Sequence, residues 1–154
     1  MIDTILTAVI AVATIIGVIA TYISAWRVQG ETIRSCFGLF RDTEFINARE
    51  FVYNLRDSKD KYDVDKFEPV EKGKVLLVIT TMQFWGVLAD RNYLPLNLFN
   101  NTDEGVKICR CYENLKDYIN HRRNDKGATK NEHYADAFEK LYYNIMKNTK
   151  TNVL

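Results

Sequence analysis

The chain has 154 residues, and about 125 of them follow an apolar N-terminal stretch, enough for one modest domain with a core of its own. Lys and Arg number 21 against 20 Asp and Glu, and this balance argues against broad nucleic-acid binding by charge alone. The 3 cysteines are an odd number without the dense spacing of a secreted disulfide scaffold, which favours reduced thiols in a cytoplasmic domain.

The first element along the chain is an apolar segment from Asp3 to Trp26, without a charged residue between Ile5 and Ile23. Crossing the hydrocarbon core of a bilayer takes about 20 residues of helix, so the segment is predicted to span a membrane. The first residues lack the basic region of a secretory signal. Arginines follow the uncharged stretch and Asp3 is the only charged residue before it, which predicts an outside N-terminus and a cytoplasmic domain.

A stripe of small and weakly polar residues follows one face of this segment. Three threonines recur every seventh position, and small or aliphatic residues share their sector of the helix. Such a face favours association of helices in lipid, or contact with a wet lumen enclosed by several copies. The alternative is that each threonine hydroxyl bonds back to the carbonyl four residues earlier and needs no partner. The predicted association or pore-lining residues are Thr7, Ile10, Thr14, Gly17, Val18 and Thr21.

After this transmembrane helix, residues 1–26, the chain is predicted to form a compact all-α cytoplasmic domain, residues 27–150. It has only two prolines and no sustained alternation of apolar and polar residues. Asp42 or Thr43 is predicted to cap a helix that runs up to a charged loop, residues 56–66. The apolar stripe of that helix comprises Phe45, Ala48, Val52 and Leu55.

The apolar residues 75–89 allow two interpretations. They are short for a second membrane span and include Thr80, Thr81 and Gln83, so a buried central helix is preferred. A second span would instead move the last third of the chain to the outside. The choice therefore decides the topology.

Two further helices are predicted to form an antiparallel hairpin on the central helix. Pro95 marks a break, Thr102 is a possible cap, and a polar loop joins the two helices. Their apolar stripes are Ile108, Tyr112, Leu115 and Ile119 in the first, and Tyr134, Phe138, Leu141 and Ile145 in the second.

The sequence offers little catalytic chemistry. Cys109 and Cys111 point apart on a helix, and no second ligand pair at chelating spacing occurs, so neither a metal nor another cofactor is expected. The familiar phosphate-binding, serine hydrolase and zinc protease motifs are also missing. The remaining polar cluster is either a partner- or RNA-binding site or a helix end whose arginines turn toward Glu132, His133 and Glu139. Its residues are His121, Arg122, Arg123, Asn124 and His133.

The second half of the chain resembles an uncharacterised family of small bacterial single-span proteins. The similar segments are FWGVLADRNYL, YENLKDYINHRRND and HYADAFEKLYYNI. The family's Tyr-x-x-Phe-Glu-x-Leu motif corresponds to residues 134–141 here, with looser spacing. The resemblance implies a domain that ends in an arginine-rich helix terminus followed by one last helix.

The order of elements also resembles the small membrane accessory proteins of type VI-B CRISPR systems. Those proteins form ring-shaped membrane pores that strengthen antiphage defence alongside an RNA-guided RNA-cleaving effector, and their cytoplasmic domain is akin to HEPN helical bundles. The resemblance implies a homo-oligomeric pore in the bacterial inner membrane with the threonine stripe facing its lumen. The implied partners are further copies of the chain, the lipid bilayer, and the effector or its RNA.

Ribonuclease activity is not expected, because the chain departs from the HEPN motif. In that motif a histidine follows an arginine by four to six residues, whereas here His121 precedes Arg122 and Arg123, and His133 lies ten residues after Arg123, in the loop or the next helix. Membrane permeabilisation without enzymatic activity is the function that the resemblance implies. The alternative is a membrane-anchored scaffold or regulator that binds a cytoplasmic partner through the polar cluster.

Overall fold

The computed structural model describes residues 2–55, 67–100, 102–124 and 131–151, and the side chains of residues 10, 12–55, 67–100, 102–124 and 131–149. Within these ranges the chain forms five α-helices and no strand, which confirms the all-α prediction. A 3-10 turn, Leu96–Leu98, precedes the fourth helix. The helices are α1 Ile2–Phe40, α2 Thr43–Asn54, α3 Pro69–Asp90, α4 Asp103–Asn124 and α5 Asp136–Thr151.

The first helix is the longest element of the described chain. It contains 39 residues, which at about 1.5 Å per residue makes it about 58 Å long. It runs through residue 26 without interruption and ends inside the bundle. The segment Val12–Phe40 of this helix is long and apolar enough to cross a membrane, and no other helix among the described residues meets that criterion.

An aromatic cluster fixes the C-terminal end of α1 to the bundle. The ring of Phe40 lies 4.5 Å from that of Trp85 in α3, and Phe45 of α2 lies 5.8 Å from the same ring. Phe37 stacks on Phe99 with ring centroids 6.4 Å apart. Aromatic pairs at such distances contribute about 0.5–1.5 kcal/mol each beyond the area that they bury. The orientation of α1 is therefore set by packing against α2, α3 and the 3-10 turn.

Local capping fixes where the helices begin. The Asp42 carboxylate accepts a hydrogen bond from the Phe45 backbone N–H at 3.0 Å, so Asp42 is the cap of the predicted Asp42 or Thr43 pair. Thr102 Oγ1 accepts from the Gly105 N–H at 3.2 Å, which confirms the predicted cap of α4. Pro69 occupies the first turn of α3, where its missing N–H leaves no helical bond unmade.

The third helix lies at the centre of the bundle. This agrees with the prediction of a central helix, and not of a second membrane span, for residues 75–89. Its inward face is buried, but Leu76 and Phe84 are 47% and 54% exposed, so the helix is not buried all round. Gln83 also makes a bond to α5 inside the domain. The buried residues of α3 are Val75, Val78, Ile79, Met82, Trp85, Gly86 and Ala89.

The last two helices pack on the rest of the bundle, with α5 lying mainly against α3 and less extensively against α4. The predicted apolar stripes of α2 and α4 are fully buried. The prediction that Tyr134 lies within the last helix is wrong, because α5 begins at Asp136. Ala135 has a left-handed φ of 60°, and this conformation separates the turn that contains Tyr134 from the helix that follows.

Candidate functional site

The threonine face of α1 lies outside the bundle. Ile10 and Val18 are 58% and 64% exposed, and a Cβ atom built on Gly17 meets no neighbour. Of the predicted stripe, only the side chain of Thr7 lies outside the described residues. The five other positions are exposed, although Thr21 borders the turn that follows α3, and lipid, water or a further protein chain has access to them.

The hydroxyls of this face are bonded within the helix. Thr14 donates to the Ile10 carbonyl and Thr21 to the Gly17 carbonyl, both at 2.8 Å. Each hydroxyl proton is thus used locally, as in the alternative interpretation of the stripe, and the oxygen keeps a lone pair as an acceptor. A partner helix is not needed to satisfy these groups, although one can still approach closely at Gly17.

The polar cluster at the end of α4 forms an ordered network around Arg123. Its guanidinium donates from Nε to the Tyr134 carbonyl at 2.8 Å, from Nη1 to Glu139 at 2.7 Å and from Nη2 to Asp136 at 2.9 Å. Tyr112 Oη donates to the other oxygen of Glu139 at 2.7 Å. All three guanidinium nitrogens therefore have acceptors inside the protein, and Arg123 joins the end of α4 to the start of α5.

Charge and hydrogen bonding set the ionisation of this network. Burial alone raises the pKa of Glu139, but the hydrogen bonds from Tyr112 and Arg123 outweigh it and hold the pKa of this carboxyl below its ordinary value. Burial, and then the bond to the Glu139 carboxylate, raises the pKa of Tyr112. At neutral pH the network therefore contains a neutral tyrosine, an ionised glutamate and a charged arginine.

The structure brings together only part of the predicted cluster. His133 Nδ1 lies 2.9 Å from Asp136, on the exposed side of the network. Arg122 lies over the Tyr134 ring at 5.9 Å. Among the described residues, the exposed His121 makes no bond, and Asn124 bonds only to the Asn120 carbonyl within α4. The predicted pairing of an arginine with Glu139 is confirmed for Arg123.

This arrangement suits a structural connection better than acid–base chemistry on RNA. An arginine that stabilises a phosphate needs free donors, whereas each nitrogen of Arg123 already donates to a protein oxygen and its side chain is 16% exposed. Comparisons with protein-family models, curated proteins and solved structures find no match. Among the described residues, no three potential metal-ligating side chains form a cluster.

The cysteines are buried and unreactive in character. Cys109 and Cys111 lie on α4, both as free thiols. Burial raises the pKa of Cys109 to about 11 and that of Cys111 to about 12. Since the thiolate is the nucleophile and the metal ligand, neither group is activated for such chemistry.

A buried arginine in α2 is a feature that the sequence analysis missed. Arg49 is 8% exposed, and its guanidinium carbon lies 5.7 Å from the Phe40 ring centroid and 5.9 Å from that of Phe45. Its Nε and Nη1 atoms have no hydrogen-bond partner within the described part of the chain. The available signal was its spacing, because Arg49 follows Phe45 by four residues and precedes Val52 by three, on the buried stripe.

Proposed function

We propose that this chain is a single-pass membrane protein that self-associates through the threonine face of α1 and holds a helical domain at the cytoplasmic surface of the bacterial inner membrane. The proposal rests on the difference in solvent exposure between the two ends of α1. The described side chains from Val12 to Val28 are exposed, whereas Cys36 and Phe40 at the end of the same helix are buried in the core.

An apolar helix that projects from a folded bundle requires an apolar environment. Lipid supplies that environment for the large aliphatic face of α1. Close contact between copies is possible on the other face, where Gly17 lacks a side chain and threonines are the neighbours. The positive-inside rule supports the stated orientation, since Arg27, Arg34 and Arg41 follow the apolar segment.

The test of self-association is the mass of the full-length protein in mild detergent, measured by light scattering with correction for bound detergent. We expect a defined oligomer for the parent chain and a smaller species for Gly17→Leu, because the new side chain blocks close approach. Val18→Phe near the threonine face and Val12→Phe on the opposite face make a matched pair. Only the first is expected to weaken the oligomer. A parent chain that is monomeric would contradict the proposal.

A pore is the second candidate, and the exposed threonine oxygens favour it. Their remaining lone pairs can accept hydrogen bonds from water in a lumen, and several copies would be needed to enclose one. This candidate agrees with the resemblance to membrane accessory proteins of antiphage defence, whose activity is membrane permeabilisation. In that case the RNA-guided effector or its RNA is the further partner, and a HEPN-like bundle is the expected cytoplasmic domain.

Leakage from vesicles separates the pore from the anchored oligomer. Thr14→Leu preserves insertion, because the change is more apolar, but dries or narrows a lumen. A pore predicts ion leakage by the parent chain and its loss in Thr14→Leu. Unchanged leakage in the variant counts against a threonine-lined pore, and an oligomer without leakage leaves the anchored scaffold or regulator.

A ribonuclease is a less favoured function, because Arg123 is engaged by carboxylates and a carbonyl. Its test is incubation of the purified full-length protein with single-stranded RNA, alone and beside an Arg123→Ala variant. We expect no cleavage in either sample. Cleavage by the parent that the variant lacks would overturn this assignment.

A further inference from the structure

The turn that ends α3 returns to α1 at the point where the apolar segment ends. Arg91, Asn92 and Tyr93 line a cleft of about 560 Å³ together with α1 residues from Thr21 to Gln29. Thr21 and Ala25 are among those residues, so the cleft opens on the threonine side of α1. The cleft is therefore level with Trp26, the last residue before the first arginine of the chain.

Hydrogen bonds hold this turn rigidly. The N–H of Asn92 donates to the Ala89 carbonyl at 3.0 Å, and that of Tyr93 donates to the Leu88 carbonyl at 2.9 Å. Asn92 has a φ of 59°, so it is the left-handed residue of a Schellman motif, a position that asparagine tolerates. The positions of Arg91 and Tyr93 beside α1 are thus fixed by the end of α3.

The chemistry of the cleft suits a phosphate group at a membrane surface. Among the described residues, the side chains of Arg91 and Gln29 make no hydrogen bond or ion pair, and no carboxylate lines the cleft. The nearest acidic residue in sequence, Asp90, is engaged by Lys140 at 3.3 Å. The exposed rings of Tyr22, Trp26 and Tyr93 are of the kind that collects at the headgroup level of a bilayer.

We infer that this cleft binds the headgroup of an anionic phospholipid from the leaflet on the bundle's side, with Arg91 as the cation and Gln29 as a second donor. The inference rests on the proposed membrane span of α1. Anionic lipids attract basic residues close to the membrane surface. The contact fixes the bundle against the bilayer and thereby the tilt of α1, to which the bundle is joined by the aromatic cluster.

The test places a spin label at Tyr93→Cys in the full-length protein, reconstituted in phosphatidylcholine vesicles with or without phosphatidylglycerol. The measurement is the relaxation of the label by nickel chelated on a lipid headgroup. The control is Val70→Cys, an exposed position at the opposite end of α3, about 30 Å farther along the helix axis. The parent chain, with its three buried cysteines, gives the labelling background.

We expect severalfold stronger relaxation at position 93 than at position 70, a further increase with phosphatidylglycerol, and loss of that increase in Arg91→Gln. Equal relaxation at the two positions overturns the inference. Relaxation at position 93 that is the same with and without phosphatidylglycerol also overturns it. Protection of position 93 that grows with protein density also overturns it, because a second copy then covers the cleft.

A third label separates this inference from the proposed span. Ile16→Cys lies within α1, where the parent side chain is 61% exposed. A label there that is reached by oxygen but not by soluble nickel supports the span. If that label is in the hydrocarbon while position 93 is far from the headgroups, only the lipid-binding cleft is rejected. If soluble nickel reaches position 16, the membrane span itself is rejected.

Discussion

Gln83 of α3 accepts a hydrogen bond from the backbone N–H of Phe138 in the first turn of α5, at 2.9 Å. The residue before α5 is Ala135, which has no side-chain acceptor, so the cap of this helix comes from another helix. The bond explains why a glutamine interrupts an apolar sequence. A polar side chain here would be costly in lipid, but within the bundle it satisfies a helix N-terminus.

Substitution of Gln83 tests that cap. We expect Gln83→Leu to lower the free energy of unfolding by about 1–2 kcal/mol, because the Phe138 N–H loses its acceptor at a similar side-chain volume. Thermal unfolding of the full-length protein in detergent, followed by intrinsic fluorescence, measures the change. Thr80→Leu, at an exposed position one turn earlier in α3, is the control. A variant as stable as the parent would show that water replaces the cap.

The close approach of α3 to α5 makes a second prediction. A Cβ atom built on Gly86 overlaps the carbonyl oxygen of Ala137, whereas one built on Gly73 of the same helix meets nothing. Gly86→Ala is therefore expected to destabilise the protein by about 1–3 kcal/mol through forced separation of the two helices. Gly73→Ala should stabilise it by about 0.5–1 kcal/mol through helix propensity. Opposite shifts of the unfolding temperature confirm the contact, and equal shifts contradict it.

Much of this fold can be predicted from the spacing of apolar residues within each helix. The stripes that begin at Phe45 and Ile108 are buried as predicted, because apolar spacing at 3.6 residues is a property of each helix alone. The start of α5 was misplaced, because the left-handed conformation of Ala135 leaves no signature in the residue type. Non-local contacts such as that between Gly86 and Ala137 depend on how helices meet, which periodicity does not specify.

The polar cluster shows the same division between local and non-local information. Glu139 was foreseen as a partner because it lies on the last helix, toward which the arginines at the end of the preceding helix were predicted to turn. Tyr112 was assigned only to the apolar stripe, and its hydroxyl reaches Glu139 across the hairpin. The threonine bonds of α1 are local, and the alternative that predicted them for Thr14 and Thr21 agrees with the structure.

The network around Glu139 predicts a loss of stability in acid. The pKa of this carboxyl is held below its ordinary value of 4.5 in the folded protein, so its contribution is fully present above that value and is lost as the pH falls through the lower folded pKa. Unfolding temperatures measured from neutral pH down to pH values below 4.5 in detergent should show this decline.

The variant that isolates the network is Glu139→Gln. At neutral pH we expect it to cost about 1–3 kcal/mol, because Arg123 loses a charged acceptor. The unfolding temperature of this variant should fall less steeply with decreasing pH than that of the parent, since the titrating group is absent. Asp117→Asn, at an exposed carboxylate of α4, is the control. An equally steep decline in Glu139→Gln would assign the acid sensitivity to other carboxylates.

The buried guanidinium of Arg49 gives the last prediction. Among the described residues, two of its nitrogens have no hydrogen-bond partner and no carboxylate pairs with it. Burying a charge without such partners is costly, and contact with the Phe40 and Phe45 rings offsets only part of that cost. Arg49→Met keeps the aliphatic stem and removes the charge, so its unfolding temperature should equal or exceed that of the parent. Arg49→Lys should lower it, because an ammonium is more strongly hydrated and cannot lie flat on a ring.

The comparison of these two variants decides what the arginine contributes. If Arg49→Met lowers the free energy of unfolding by more than Arg49→Lys does, the positive charge stabilises the junction of α1 and α2. If Met stabilises the protein, the charge is retained at a cost to folding. Arg49 then becomes a residue to substitute in the assays of oligomer mass and leakage, because it contacts Phe40 at the C-terminal end of α1, the helix proposed to span the membrane.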